Sequence, residues 1–267
     1  EELRKSRKLG IVATQAGGLV HDFKNLLQVL KLNIAMLPNC ASEPERLLQL
    51  AQRLDKATDR GCEMMRDFLV LAGTTEAKLV PVDFVEQIKN TLDLILPSLP
   101  STVEVHLGFA SDLPLVLADS GLLDRVLVNL VKNAGDAMPQ GGTITVTADL
   151  VHFGSVASSL EKPEDIPYLC VTVSDTGSGM DEATCSRIFE PFFTTKKAGK
   201  GTGLGLAVVS NLMEAHHGFI EVQSKVGHGT SFFLYFPVTH KSEEKPIQGT
   251  AEELPANSSD QLHETSC

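Results

Sequence analysis

Apolar residues in the first part of the chain recur at Leu9, Ala13, Ala16, Val20, Phe23, Leu27, Leu30, Ile34 and Leu37. The steps alternate between three and four, a heptad seam, and predict one long helix over residues 1–37 that stops at Pro38 and Asn39. A second seam follows Pro44: Leu47, Leu50, Leu54, Ala57, Gly61, Met65, Phe68 and Ala72. Two helices joined by a short turn form an antiparallel hairpin. One hairpin cannot bury both stripes, so the pattern predicts a homodimer through residues 1–75, two hairpins making a four-helix bundle.

Beyond residue 72 the period changes. Residues 73–82 read as a linker running into a short strand. Asp83 caps a predicted helix over 84–96, stopped by Pro97 and Pro100. Strands are predicted at 103–107 and 115–117. Asp119 and Ser120 offer an N-cap for a helix reaching Met138, ended by Pro139 and Gly141-Gly142. Residues 143–151 and 168–174 alternate as strands, separated by a loop over 154–167. A short helix starts at Asp181, a helical pattern runs over 204–216, and strands at 219–222 and 231–236 flank a turn at Gly227-His228-Gly229. From Lys241 the composition turns polar, and residues 241–267 read as a disordered tail or linker.

The chain has 267 residues, enough for two domains and a proper core. Its net charge of −11 supplies no broad basic surface, which argues against a general nucleic-acid binder. Trp is absent and aromatics are few, so a base-stacking surface is not expected. The five cysteines, Cys40, Cys62, Cys170, Cys185 and Cys267, are scattered without a CxxC pair and read as reduced thiols of a cytoplasmic protein. No apolar run approaches membrane-spanning length, although a longer parent protein with a membrane anchor is compatible with this core. The charged start reads as the edge of a fragment whose upstream sensor part is missing.

Four stretches carry candidate chemistry. Asp175-Thr176-Gly177-Ser178-Gly179 follows a strand and sets one carboxylate at its end, with glycines that let the backbone approach a ligand. A carboxylate there accepts a hydrogen bond from an amine such as adenine N6 and repels the O6 acceptor of guanine. Gly199-Lys200-Gly201-Thr202-Gly203-Leu204-Gly205-Leu206 leads into a helix, whose bare N–H groups and positive dipole end suit phosphates. Asn129 and Asn133, four apart, present both amides on one side of their helix, opposite Leu123, Val126, Leu127, Leu130, Val131 and Ala134. Amide oxygens are neutral hard ligands of the kind Mg²⁺ takes alongside phosphates and water. On the first helix, His21 borders the apolar stripe, with Asp22 beside it and Asn25 one turn on. Gly17-Gly18 precede it at about 1 kcal/mol each relative to Ala.

In their order and spacing these stretches resemble the sensor histidine kinases, within the ATPase superfamily shared with gyrase, heat-shock chaperones and mismatch-repair ATPases. The resemblance spans residues 9–238. Gly18-Leu19-Val20-His21-Asp22-Phe23-Lys24-Asn25-Leu26-Leu27 is similar to the phosphoacceptor box, in the His-Asp-Phe-x-Asn form of many hybrid kinases. Residues 129–137 resemble the asparagine box, 175–179 the first glycine box, 188–193 the phenylalanine box and 199–206 the last glycine box. The resemblance implies the helical hairpin as a dimeric four-helix bundle, then an α/β sandwich that binds ATP at residues 79–240, a mixed sheet with helices on one face. It implies Mg²⁺ on Asn133, with Asn129 near the phosphates and Asp136 in the same box. Adenine would lie on Asp175, Gly177 and Gly179. Residues 180–202 would be a mobile lid carrying Phe189, Lys196, Lys197 and Lys200, ending at Gly201, Thr202, Gly203, Leu204 and Gly205.

The implied activity is ATP-dependent phosphorylation of His21, with Asp22 holding the second ring nitrogen's proton, and transfer to an aspartate of a response-regulator receiver domain, in trans or in a longer hybrid chain. Asn25 is expected to serve the reverse reaction, removal of phosphate from that aspartate, by orienting a water. Two readings compete. An ATP hydrolase of the superfamily carries Glu one turn before the magnesium Asn, where this chain has the amide of Asn129. A non-catalytic dimeric scaffold would not need the intact glycine boxes. Two departures stand out: Leu26 replaces the proline common five residues after the histidine, and His216-His217-Gly218 replaces His-Gly-Gly.

Overall fold

The computed structural model describes residue 20 and residues 23–40, 43–152, 166–196 and 201–238. The chain opens with a helical hairpin. Helix α1 covers residues 23–36 and ends in a 3-10 turn at Pro38–Cys40. Helix α2, Pro44–Leu71, starts with proline at its first turn, where a missing N–H costs nothing. Its covered stripe is Leu50, Leu54, Ala57, Gly61, Met64, Phe68 and Leu71. The steps are the predicted fours and threes, but near the C-terminal end the stripe moves back one position. Met64 is buried where Met65 is exposed, Leu71 is buried where Ala72 is half-buried, and Leu47 at the start of the predicted seam is exposed. An ideal helix drifts against a strict seven-residue repeat, and here α2 also packs on a second layer. Leu26 of α1 lies on Gly61, where an added Cβ would stand 3.4 Å from its Cδ2. On α1 the half-covered residues are Leu26, Leu30, Asn33 and Leu37, while Phe23, Leu27 and Ile34 of the predicted seam stay 38%, 51% and 56% exposed.

The second layer is a five-stranded sheet of order β2-β4-β5-β7-β6. Its strands are β2 Val103–Phe109, β4 Gly142–His152, β5 Pro167–Asp175, β6 Phe219–Lys225 and β7 Gly229–Pro237. Only β2 and β4 pair in parallel, and the other three pairings are antiparallel, so the sheet is mixed. Strands β1 Val80–Val82 and β3 Val116–Ala118 form a separate antiparallel pair. Alternate residues Ile144, Val146 and Ala148, Leu169, Val171 and Val173, and Phe232, Leu234 and Phe236 share one core. The other alternation carries a smaller cluster of Tyr168, Cys170 and Tyr235. Burial pushes the Cys170 thiol and the Tyr235 phenol up from their ordinary pKa values.

Helices α3 Phe84–Ile95, α4 Ser120–Ala137 and α6 Gly205–Ala215 close the main core, and α5 Glu182–Cys185 is a single turn beyond β5. The predicted caps form. Asp83 accepts from the N–H groups of Val85 and Glu86, and Asp119 from Leu122. Each such cap is worth about 1 kcal/mol. The backbone N–H of Asp119 donates to Nε2 of His216 at 3.0 Å, and His216 Nδ1 lies 2.7 Å from the Leu212 carbonyl. A carbonyl only accepts, so Nδ1 carries the proton and the buried ring is neutral. His216 thereby ties the end of α6 to the start of α4. Among the described residues no helix is long and apolar enough to cross a membrane.

His217, where the sequence departs from the family pattern, has φ 57°, the left-handed conformation that ends a helix. His217→Gly is expected to raise the unfolding free energy by about 0.5–1 kcal/mol, since glycine adopts that conformation without a Cβ conflict. Gly218→Ala is expected to lower it by several times as much, because the new Cβ would lie 2.3 Å from the Tyr235 carbonyl oxygen. Denaturant titration of the two variants beside the parent checks both signs.

Candidate functional site

A cavity of about 1050 Å³ opens between α2 and the α/β layer. Its walls are the end of β5 with the loop after it, the polar face of α4, residues 193–196, the start of α6, and one face of α2. Each wall follows from a local rule. The apolar side of α4, Leu123, Val126, Leu127, Leu130, Val131 and Ala134, is buried in the core. With that side fixed, Asn129, Asn133 and Asp136 must turn to the cavity.

Asp175 ends β5 opposite Thr230 of β7. Its Oδ1 accepts from the Gly177 N–H at 2.8 Å, and the Thr230 backbone also donates to it. Burial nevertheless pushes its carboxyl above the ordinary aspartate range, outweighing those two donors. The loop beyond is strapped on both sides. Ser178 N–H donates to the Ala137 carbonyl at the end of α4, and Gly227 N–H donates to the Ser178 carbonyl from the β6–β7 turn. Gly179 has φ 62°, and a Cβ there would come within 2.0 Å of the Lys225 carbonyl oxygen. Only glycine fits this position of the first glycine box.

Asn129 donates from Nδ2 to the Arg125 carbonyl at 2.9 Å. Lys196 Nζ donates to Asn133 Oδ1 at 3.0 Å and to Asp136 Oδ2 at 2.6 Å. The ammonium group thus marks two hard oxygens set to hold a positive charge, a donor set that fits Mg²⁺. The segment bearing Lys196 is anchored at its base. Phe192 N–H donates to the Gly203 carbonyl at 2.9 Å, and both residues have positive φ. A Cβ on Gly203 would meet the Phe192 carbonyl carbon at 2.4 Å. Phe189 is half-buried against the core, and the Arg187 guanidinium lies over the Phe193 ring at 4.3 Å.

Gly201 lies against Thr194 and Lys196. Thr202 Oγ1 accepts from the Leu204 N–H at 3.3 Å. Leu204 is buried and precedes α6 without a side-chain cap, so the first N–H groups of that helix open toward the cavity. Gly205 approaches α4 closely, its missing Cβ falling 2.7 Å from Asn129 Oδ1.

The structure therefore gathers Asn129, Asn133, Asp136, Asp175, Gly179, Lys196, Gly201, Thr202, Gly203 and Gly205 around one cavity, with Gly177, Phe189 and Leu204 packed behind. Lys197 and Lys200 lie outside the described residues, as do His21 and Asp22. Asn25 stands exposed on α1. One wall has no counterpart among the sequence motifs. Asp67 of α2 pairs with Arg125 of α4 at 2.5 Å, and Glu63 pairs with Lys132 at 3.3 Å. Burial holds the Asp67 carboxyl above its ordinary range even with the Arg125 guanidinium beside it. No local pattern announces these pairs, because they join helices far apart in the chain.

Comparison with known proteins bears on this geometry. Residues 118–240 match a family described as histidine kinase-, DNA gyrase B-, and HSP90-like ATPase. Sensor kinase CckA of Brucella abortus is 32% identical over 241 residues, which cover 88% of this chain and 25% of that protein. A crystal structure of full-length ShkA in complex with AMPPNP is 26% identical, with a TM-score of 0.58 over 85% of this chain and 46% of that one. The fold is shared with histidine kinase ThkA, solved in complex with response regulator protein TrrA. There the TM-score is 0.65 at 21% identity, over 90% of this chain and 65% of that one. Against the first curated relatives the chain spans only 25% to 48% of their length.

The Asp67–Arg125 contact makes a checkable prediction. Arg125→Ala leaves the carboxylate of Asp67 without its partner and is expected to cost about 1–3 kcal/mol of stability near pH 8. A carboxyl whose folded pKa is raised holds its proton longer when folded than when unfolded, so stability falls as pH rises through that window. The loss in Arg125→Ala should accordingly shrink toward pH 5, and adding Asp67→Asn should recover much of it. Unfolding curves at the two pH values, run as a double-mutant cycle, give the answer.

Proposed function

This chain contains a histidine-kinase core whose residues 118–240 belong to the histidine kinase-, DNA gyrase B-, and HSP90-like ATPases, and from that premise we propose that it transfers the terminal phosphoryl group of ATP to its own His21 and then to an aspartate of a response-regulator receiver domain. The observation that carries this reading is the single cavity in which Asp175, the polar face of α4, Lys196 and the start of α6 meet beside the hairpin.

Each residue has a task that its chemistry suits. Asp175, pinned by the N–H groups of Gly177 and Thr230, accepts a hydrogen bond from the adenine amine. The uncapped N-terminus of α6 offers N–H groups and a positive dipole end to the phosphates. Asn133, with Asp136 beside it, would hold Mg²⁺, which would supply charge to offset that of the phosphates. Lys196, the residue engaging both oxygens, is freed by that exchange to bind phosphate itself. The neutral imidazole of His21 attacks the terminal phosphorus, and Asp22 fixes the tautomer by holding the proton on its other nitrogen. A P–N bond forms as the P–O bond to ADP breaks, and the ADP oxygen keeps the electron pair. Most of the acceleration then comes from positioning and charge. The reverse reaction at the receiver's phosphoaspartate falls to Asn25, whose exposed amide orients a water one helical turn from His21. Exposure of Phe23, Leu27 and Ile34 supports pairing of residues 1–75 with a second copy into a four-helix bundle.

Incubation with γ-labelled ATP and Mg²⁺ is the direct test. Label stable to alkali and labile to acid should appear on the parent and be absent from His21→Gln, while ATP affinity stays near the parent value in that variant. An unlabelled parent that still binds nucleotide would favour a scaffold over a kinase.

Asp175→Asn is expected to weaken adenine-nucleotide binding by roughly tenfold to a hundredfold, the worth of a charge-assisted hydrogen bond of about 1.5–3 kcal/mol. Only the ionised carboxyl accepts from the amine without a proton of its own in the way. Parental affinity should therefore fall as pH drops through the raised pKa of Asp175, at a pH above the ordinary aspartate range. The Asn variant should lack that acid limb. Nucleotide titrations across pH measure both effects, and an unchanged affinity in Asp175→Asn would remove the assignment.

A further inference from the structure

The face of α2 that looks into the cavity carries Lys56, Arg60, Glu63 and Asp67, spaced four, three and four, so they form one stripe. The stripe changes sign along its length. Its two acids meet the two cations of α4: Asp67 pairs with Arg125 and Glu63 with Lys132. As the number rises on α4 it falls on α2, so the two helices run in opposite directions at this contact. Continued one turn in that sense, the basic half of the stripe runs toward the Asn133 and Asp136 turn of α4, and Lys56, Arg60, Asn133, Asp136 and Lys196 all line the cavity. Arg60 and Lys56 are both exposed and both line the cavity. Asp59 and Arg66 line it as well, beside the stripe, so the Lys56–Arg60 turn of α2 brings two cations and one anion to the site, and Arg66 adds a cation beside Asp67. In a chain of net charge −11, a stripe that is acidic where α4 is basic and basic toward the end where the cation-holding oxygens of Asn133 and Asp136 lie is matched to an anion at that end.

Resting on the kinase reading above, we propose that Arg60 of α2 binds the terminal phosphate of the nucleoside triphosphate, with Lys56 adding to the local field. The guanidinium gives planar, two-pronged recognition of phosphate oxygens. The hairpin thus contributes a phosphate ligand to a site otherwise built by the α/β layer. Its consequence is selectivity. A nucleoside diphosphate lacks the group that Arg60 holds, so α2 strengthens the hold on ATP and leaves ADP to the α/β layer alone. The two ion pairs set the register that brings Arg60 there.

The test is equilibrium titration of the intact chain with Mg–ATP and with Mg–ADP, for the parent, Arg60→Ala and Arg60→Lys. Arg60→Ala is expected to bind ATP about tenfold more weakly and ADP as the parent does, and Arg60→Lys to recover part of the loss. Equal weakening of both nucleotides, or an ATP-to-ADP affinity ratio unchanged from the parent, overturns the proposal. A parent that is labelled by γ-labelled ATP while Arg60→Ala keeps its ratio removes this inference and leaves the kinase reading standing. A parent that binds no adenine nucleotide removes both.

Discussion

Helix α4 has to satisfy two environments at once, and the site depends on how it does so. One side is sealed into the core by Leu123, Val126, Leu127 and Leu130, each nearly devoid of solvent contact. Burial of such a side is worth roughly 1.5–3 kcal/mol per large residue, far more than any single polar contact on the opposite side. Rotation of the helix would expose that surface, so Asn129, Asn133 and Asp136 are held toward the cavity by residues that never touch a ligand. The helix is fixed along its axis as well. Asp119 caps its start and receives support from the neutral ring of His216, while the Asp175 loop hangs from the Ala137 carbonyl at its end.

Around that fixed element the charges sit on three different supports. Asp175 sits at a strand end, held by backbone donors. Asn133 and Asp136 sit on a helix with a locked rotation. Lys196 follows the point where the Phe192 N–H is joined to the Gly203 carbonyl. The Lys196 ammonium occupies the same oxygens that suit a divalent cation, so in the proposed mechanism a metal bound there would displace this lysine toward phosphate.

The hairpin is the other half of the design. Its predicted seams and its observed packing differ in an informative way. On α2 the inward stripe follows the heptad until Met64 replaces Met65, at the stretch where Glu63 and Asp67 engage α4. On α1 Leu26 lies on Gly61 of α2 and Leu30 is half-covered, while Phe23, Leu27 and Ile34 remain open. A seam read from spacing alone merges two surfaces, one for the partner helix in the same chain and one for whatever covers the outer side.

Local rules account for most of what the chain announces in advance. Caps at Asp83 and Asp119, breaks at Pro38 and Gly141-Gly142, strand alternation in β4, β5 and β7, and the glycine boxes each depend on a few neighbouring residues, so their positions were legible as letters. The candidate residues on α4 and after β5 were legible for the same reason. Charge pairs across α2 and α4 and the role of His216 between α6 and α4 were not. Each joins residues separated by 58 to 97 positions in the hydrogen-bonded cases of Arg125–Asp67, Lys132–Glu63 and Asp119–His216. No periodicity encodes such a separation. It is decided by which apolar faces bury each other, and that choice belongs to the folded chain as a whole.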